Sequence, residues 1–151
     1  MEIIDFREAG HPGQIVALCH RMVAESRVAR LGFGDELPAA YAQRAILDPL
    51  FIAFGAFDGA TMVGMVVGTC GATLPFTSAV VASDHALYVL PAYRGAGLER
   101  ELISAFITEA RARGAREIMF SNWIGYEPEH VSGLLEAHGL SCVGGVHTKE
   151  L

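Results

Sequence analysis

The sequence predicts an α/β (α+β) fold, a single domain built on a mixed sheet with flanking helices, and three observations carry that prediction. Short runs rich in valine, isoleucine and phenylalanine alternate with longer stretches whose apolar residues recur at helical spacing. Two of the runs, "FIAFGAF" and "TMVGMVVGTC", are joined by Asp58-Gly59, a turn pair that specifies an antiparallel hairpin. A later run, "SDHALYVL", leads through a glycine turn and a helical pattern into another run, a crossover that makes its two strands parallel. At 151 residues the chain forms one domain, residues 1–151, with enough material to bury a core.

Taken in order, "EIIDFREA" reads as a short opening strand. "HPGQIVALCHRMVAES" sets Ile15, Leu18, Cys19, Met22 and Ser26 at helical spacing, with Pro12 near its start. "RLGFGDE" reads as a loop and "LPAAYAQRAILDP" as a second helix stopped by Pro49. After the hairpin comes "GATLPFTSAV", a long connection of the kind that often carries function. "SDHALYVL" is apolar on both faces beyond His85, as expected of a strand covered on both sides. A helix follows from about Leu98 to Arg113, with Leu98, Leu102, Phe106 and Ala110 on one face and Gly114 closing it. "REIMFSNW" is the next strand, and "EPEHVSGLLEAH" a helix with Pro128 early and Gly139 beyond its end. "LSCVGGVHTKEL" reads as one strand or as a hairpin turning at Gly144-Gly145.

Composition narrows the function classes. Seventeen acidic against eleven basic residues give a net charge of −6, which argues against nucleic acid as a partner and suits a cationic small molecule. The longest apolar stretch, "TMVGMVVGTCGATLPF", is broken by Gly64, Gly68, Gly71 and Pro75, so no membrane partner is expected. "MEIIDFREAG" lacks the basic and apolar regions of a signal peptide. Cys19, Cys70 and Cys142 are widely separated and in no C-x-x-C pair, and read as reduced core thiols of a cytoplasmic protein. The histidines are scattered and match no metal motif, so no metal is expected.

The chemistry concentrates in "LYVLPAYRGAGLERELI". The first amides of a helix lack intrahelical partners and sit at the positive end of the helix dipole, a place that takes phosphate. Gly95 and Gly97 remove Cβ atoms that would hold such a group away, and Arg94 adds a forked donor. A tight strand-to-helix turn with no ligand is the alternative. The dinucleotide fingerprint fails, because Arg100 stands where its third glycine belongs, and the nucleoside-triphosphate loop fails for want of Gly-Lys-Ser/Thr.

A third pattern does fit. "YVLPAYRGAGLERELI" resembles the central motif of the GNAT superfamily of N-acetyltransferases, a strand followed by Q/R-x-x-G-x-G/A opening a helix. Arg94 takes the first position and Gly97 the central glycine. The order of elements along the chain looks like that family, and "GLLEAHGLSCVGGVHTKEL" is similar to the closing helix and strands of its small bacterial and phage-borne members. The resemblance implies a mostly antiparallel sheet whose central parallel pair is splayed around acyl-CoA. It implies acetyl-CoA as cosubstrate and a primary amine of a small molecule or peptide as acceptor. The pyrophosphate would rest on the turn formed by Arg94, Gly95, Ala96, Gly97, Leu98 and Glu99. Pantetheine would pair with the backbone of Leu87, Tyr88 and Val89 like an added strand. Asn122 would bond a pantetheine amide or else simply end its strand. A homodimer formed through the last strands is also implied. Glu99 departs from the pattern, which favours Gly or Ala there. Its carboxylate either swings to solvent or weakens cofactor affinity.

Acetyl transfer needs a base to make the amine neutral. His85 lies two residues before Leu87, on the same face by the period-two rule, and titrates in the right range. It is the leading base, with Asp84 and Ser83 as fallbacks and a structural histidine as the alternative. Leu135 stands where relatives of this type carry a tyrosine general acid, which leaves Tyr126 and then His130 as substitutes. Asp35, Glu36, Phe33, Phe76 and Trp123 are candidates for the acceptor pocket. A catalytically degenerate acyl-CoA-binding module is the rival function, and an interaction protein with an empty turn the third.

Overall fold

The computed structural model describes residues 1–9, 11–32, 34, 36–122 and 127–149. Five strands form one sheet in the order β1-β2-β3-β4-β5. These are β1 (Glu2–Asp5), β2 (Phe51–Asp58), β3 (Thr61–Gly71), β4 (Val81–Val89) and β5 (Glu117–Met119). The first four pair antiparallel, and β4 with β5 is the one parallel pair. Among the described residues five α-helices flank them: α1 (Phe6–Ala9), α2 (Pro12–Glu25), α3 (Glu36–Leu47), α4 (Leu98–Ala112) and α5 (Pro128–Ala137). The α/β class, the hairpin at Asp58-Gly59 and the crossover through α4 are as the sequence predicts. Two readings in the N-terminal part differ. Phe6 begins a helical turn rather than continuing the opening strand, and Arg27–Leu31 winds into a 3-10 turn.

Both sheet faces are covered, which is why the strand sequences are apolar throughout. On one side Ile15, Leu18 and Met22 of α2 and Ala42 and Ala45 of α3 pack on Phe51, Met65, Val67, Ala86 and Tyr88. On the other, Leu98, Leu102, Ile103, Phe106 and Ala110 of α4 pack on Ile52, Val63, Val66, Leu87 and Val89. Gly114, at φ +78°, ends α4: its own N–H reaches the Arg111 carbonyl and that of Ala115 reaches Ala110, a Schellman closure. Arg116 N–H then bonds the Val80 carbonyl and starts β5 beside β4.

The sequence predicts a strand through Trp123, but β5 stops at Met119. The reason is a side chain. Asp84 Oδ1 accepts the Ser121 N–H at 2.6 Å, taking a donor that a longer ladder would give to a β4 carbonyl. Past that point the two strands part. The sequence also predicts a closing strand or hairpin, but the described residues 141–149 form no regular element, and Val143 and Val146 are 95% and 64% exposed. Cys142 is exposed rather than in the core, Cys19 half-buried and Cys70 buried, and all three are free.

The β3–β4 ladder slips once: Val67 faces Ala86 and Gly68 faces Asp84, leaving His85 as the extra residue of a β-bulge. Gly68 makes the bulge possible, because a Cβ there would lie 2.2 Å from the Ser83 carbonyl oxygen and 2.8 Å from the Phe106 ring. Gly68→Ala should therefore destabilise the protein by about 2–3 kcal/mol, the upper range for overpacking against backbone. Urea unfolding measures this, and a variant within about 0.5 kcal/mol of the parent would mean the ladder relaxes at no cost.

Candidate active site

The cleft left where β4 and β5 separate is lined by Asp84, His85, Leu87, Phe120, Ser121, Asn122, Val131 and Leu135. Its β4 wall is an open sheet edge, because β5 pairs only with residues 81–83. Leu90 N–H bonds the Val63 carbonyl of β3, so the preceding residues alternate, and Leu87 and Val89 turn their backbone groups toward the cleft while Tyr88 serves β3. Tyr88 is fully buried, with its hydroxyl donating to Glu25 Oε1 at 2.6 Å.

At the end of β4 the glycine turn rises into α4. Gly95 and Gly97 adopt φ +77° and +91°, which by itself calls for glycine, and a Cβ at either would meet nothing within 4 Å. The space over the turn is open. The first turn-spanning bond of α4 runs from Glu101 N–H to the Gly97 carbonyl, so the amides of Leu98, Glu99 and Arg100 have no partner within the helix. Arg94 lies differently from expectation. Its Nε donates to the Val89 carbonyl, Nη1 to Glu127 at 2.8 Å and Nη2 to Glu25 at 2.6 Å, with the guanidinium over the Tyr88 ring. The side chain thus ties the ends of α2 and β4 to the start of α5, and its fork is committed to two carboxylates. Burial raises Glu25, but the hydrogen bonds from Arg94 and Tyr88 outweigh it and hold the carboxyl below its usual range.

Glu99 does not swing to solvent. At the second helical position it is only 5% exposed, and its Oε1 is buried without a hydrogen-bond partner. The imidazole of His130 in α5 lies beside it, with Nε2 3.7 Å from that oxygen. His130 is thereby placed against the helix start.

His85 faces the side opposite to that read from the sequence. The bulge interrupts the period-two alternation, so while Leu87 packs toward α4, the His85 imidazole turns to α3. Its Nδ1 is 2.7 Å from the Tyr41 hydroxyl and its Nε2 3.3 Å from Thr69 Oγ1. The ring meets Phe51 edge-on at 5.7 Å. Burial lowers its pKa below the usual histidine value, and the Arg44 charge adds to this. Asp84, on the other face of the same bulge, is 8% exposed, and burial outweighs the Ser121 hydrogen bonds to push its carboxyl up to about 7. Two ionisable groups, an imidazole whose pKa is lowered and a carboxyl raised to about 7, therefore flank one point of the cleft.

Leu135 lines the cleft and offers no proton. Tyr126, with Phe33, Asp35 and Trp123, lies outside the described residues. Phe76 is 82% exposed, and Glu36 is the first residue of α3. Neither Tyr41 nor Thr69 carries a sequence signal, since their proximity to His85 depends on the bulge.

Among the described residues no three His, Cys, Asp or Glu side chains gather as a metal site, and no helix is long and apolar enough to cross a membrane. Residues 15–127 match the sequence profile of the acetyltransferase (GNAT) family. No curated protein matches the sequence. Among solved structures the chain is similar to the aminoglycoside N-acetyltransferase AAC(6')-Iy in complex with CoA, with a TM-score of 0.76 and 16% identity over 99% of this chain and 92% of that one. A transcriptional regulator from Bacillus halodurans C-125 gives 0.75 and 21% over 99% of both chains. A ribosomal-protein-alanine N-acetyltransferase from Brucella melitensis biovar Abortus 2308 gives 0.67 and 18% over 99% and 98%. At these identities the likeness is one of fold.

Proposed function

The chain belongs to the acetyltransferase (GNAT) family, and on that premise we propose that it transfers the acetyl group of acetyl-CoA to a primary amine of a small molecule or peptide. The observation that carries this is the continuity of the open β4 edge with the unpartnered amides of α4. Pantetheine amides would add to the backbone at Leu87 and to the Val89 N–H beside Tyr88, as a strand adds to a free edge, the Val89 carbonyl being held by Arg94. The diphosphate would sit over Gly95, Ala96, Gly97, Leu98 and Glu99, on amides backed by a helix dipole. Arg94 would hold that turn in place through Glu25 and Glu127. Asn122, at the mouth of the splay, would bond the pantetheine chain.

His85 is the proposed base, and Asp84, on the opposite face of the bulge, is the fallback. The thioester, when bound, supplies an acyl carbon open to attack by a neutral amine. Tyr126 remains the proposed acid on sequence grounds alone. The free cysteines support a reducing, cytoplasmic setting. A homodimer formed through residues 140–149 belongs to the same reading, supported by the exposed Val143 and Val146 beyond the last strand.

Calorimetry with acetyl-CoA and free-thiol release over an amine panel test the proposal. Binding with amine-dependent thiol release is expected. Binding without turnover would turn the reading into that of an acyl-CoA-binding module, and no binding would remove both.

Glu99 supplies a second expectation. A buried carboxylate beside a diphosphate opposes it electrostatically, so Glu99→Gln should tighten CoA binding about tenfold, or ~1.4 kcal/mol. The comparison is made by calorimetry at low salt, where the difference is largest. Equal affinities would show that the charge does not reach the cofactor.

A further inference from the structure

The bond between Tyr41 and His85 has a consequence for how a base could work here. A phenol is a far stronger hydrogen-bond donor than a neutral imidazole N–H, so in a pair 2.7 Å apart the Tyr41 hydroxyl donates to Nδ1. The imidazole then carries its own proton on Nε2, aimed at Thr69 Oγ1 at 3.3 Å. A neutral imidazole has one lone pair, and in this arrangement that pair already holds the tyrosine proton. An approaching ammonium or amine finds no free acceptor on the ring. The acceptor left on the pair is the Tyr41 oxygen, which keeps a lone pair while its proton is donated to Nδ1.

Resting on the N-acetyltransferase reading above, we infer that Tyr41 is the proton-accepting atom presented to the acceptor amine and that His85 is the store behind it. As the amine nitrogen bonds to the acetyl carbon and the carbon–sulfur bond breaks, the nitrogen gives its proton to the Tyr41 oxygen. Tyr41 passes its own hydroxyl proton to His85 Nδ1. The products are the amide, the CoA thiolate and an imidazolium. The imidazolium then releases its proton to solvent and the thiolate takes one up, so that no charge accumulates over the cycle.

The surroundings suit a neutral relay. Tyr41 is half-buried, edge-on to Phe51 at 5.5 Å. Burial raises its pKa, with Cys19 of α2 and Asp84 of β4 acting in the same direction and Arg44 of α3 against them. The hydroxyl therefore stays protonated until it exchanges. Arg44, whose guanidinium lies over the Phe51 ring at 5.3 Å, also disfavours a lasting imidazolium and so favours prompt return of the proton. Among the described residues, Cys19, Asp84 and Arg44 are the titratable and charged groups acting on the pair.

The test compares the parent, Tyr41→Phe and His85→Ala. Phenylalanine keeps the ring that packs on Phe51 and removes only the hydroxyl, so acetyl-CoA affinity should match the parent and the unfolding midpoint should fall only slightly, for the loss of one hydrogen bond. Two readouts are taken on each protein. Nitrogen-15 NMR of the imidazole should show Nδ1 unprotonated and hydrogen-bonded in the parent, with that shift lost in Tyr41→Phe. Thiol release with an accepted amine should fall at least tenfold in kcat for Tyr41→Phe, although the substitution frees the histidine lone pair. Direct proton transfer to His85 predicts the reverse, turnover equal to or above the parent. That result, or Nδ1 protonated in the parent, overturns the relay. If the parent itself releases no thiol with any amine, the function reading fails, and the NMR result still decides which way the Tyr41–His85 bond runs.

Discussion

His85→Ala should lower kcat by a factor of ~10² or more, the usual contribution of a positioned base, while acetyl-CoA affinity stays unchanged. The separation follows from where the side chain points. The imidazole leaves β4 toward α3, away from the α4 side on which Leu87 packs, and the backbone edge proposed for pantetheine does not involve it. Loss of the ring removes a proton acceptor without touching the glycine turn.

The pH profile makes the expectation sharper. Burial, aided by the Arg44 charge, lowers the His85 pKa below the usual value of 6.5, so the neutral ring persists into mildly acidic solution. In the parent, kcat/KM should rise with pH through a midpoint under 6.5 and then level off, and in His85→Ala that limb should disappear. A limb centred near 7 that survives His85→Ala and vanishes in Asp84→Asn would move the role of base to the carboxyl, which burial holds at about 7. Unchanged turnover across the pH range would remove His85 from the mechanism altogether.

How much of this could be read from the residues depends on whether the physics is local. The hairpin at Asp58-Gly59, the helix after Gly97 and its closure at Gly114 follow from turn chemistry and periodicity, and all three are present. The face of His85 departs from the alternation because alternation is counted along one strand, whereas a bulge is a property of two. Only Gly68, placed by tertiary pairing against Asp84, shows that a residue has been inserted. The early end of β5 has the same origin: Asp84 and Ser121 are 37 positions apart, and the competition between a carboxylate and a backbone carbonyl leaves no local trace. Arg94 was legible as a residue at the right turn, but its partners Glu25 and Glu127 come from helices distant in sequence. Glu99 shows the limit most plainly. Its departure from the family pattern is visible in the sequence, while the direction it takes is set by packing against α5.

Asp84→Asn should stabilise the protein in alkaline solution and leave it nearly unchanged in acid. Burial raises the Asp84 carboxyl from 3.8 to about 7 in the folded state. Between those values the native protein keeps a proton that the unfolded chain has released, so stability falls as pH rises through that window and levels off above it. A shift of about three units, each worth ~1.4 kcal/mol, sets the full penalty on the order of 4 kcal/mol. Asparagine keeps the oxygen that accepts the Ser121 N–H and cannot ionise, so it removes the penalty while preserving the bond. Urea unfolding from pH 4 to 8.5 should show two curves that coincide at the acid end and diverge steadily toward pH 8. His85, whose lowered pKa acts in the opposite sense, is common to both proteins and cancels in the difference. Parallel curves would mean that water or local motion solvates the carboxylate, and its raised pKa would lose its cause. Divergent curves would mean that the fold tolerates a destabilising group at the one place where β4 and β5 part. Asp84 ends the β5 ladder by taking the Ser121 amide, and the opening so made is where the open edge of β4 begins. The stability lost on ionisation is, on this argument, the cost of holding the cleft apart.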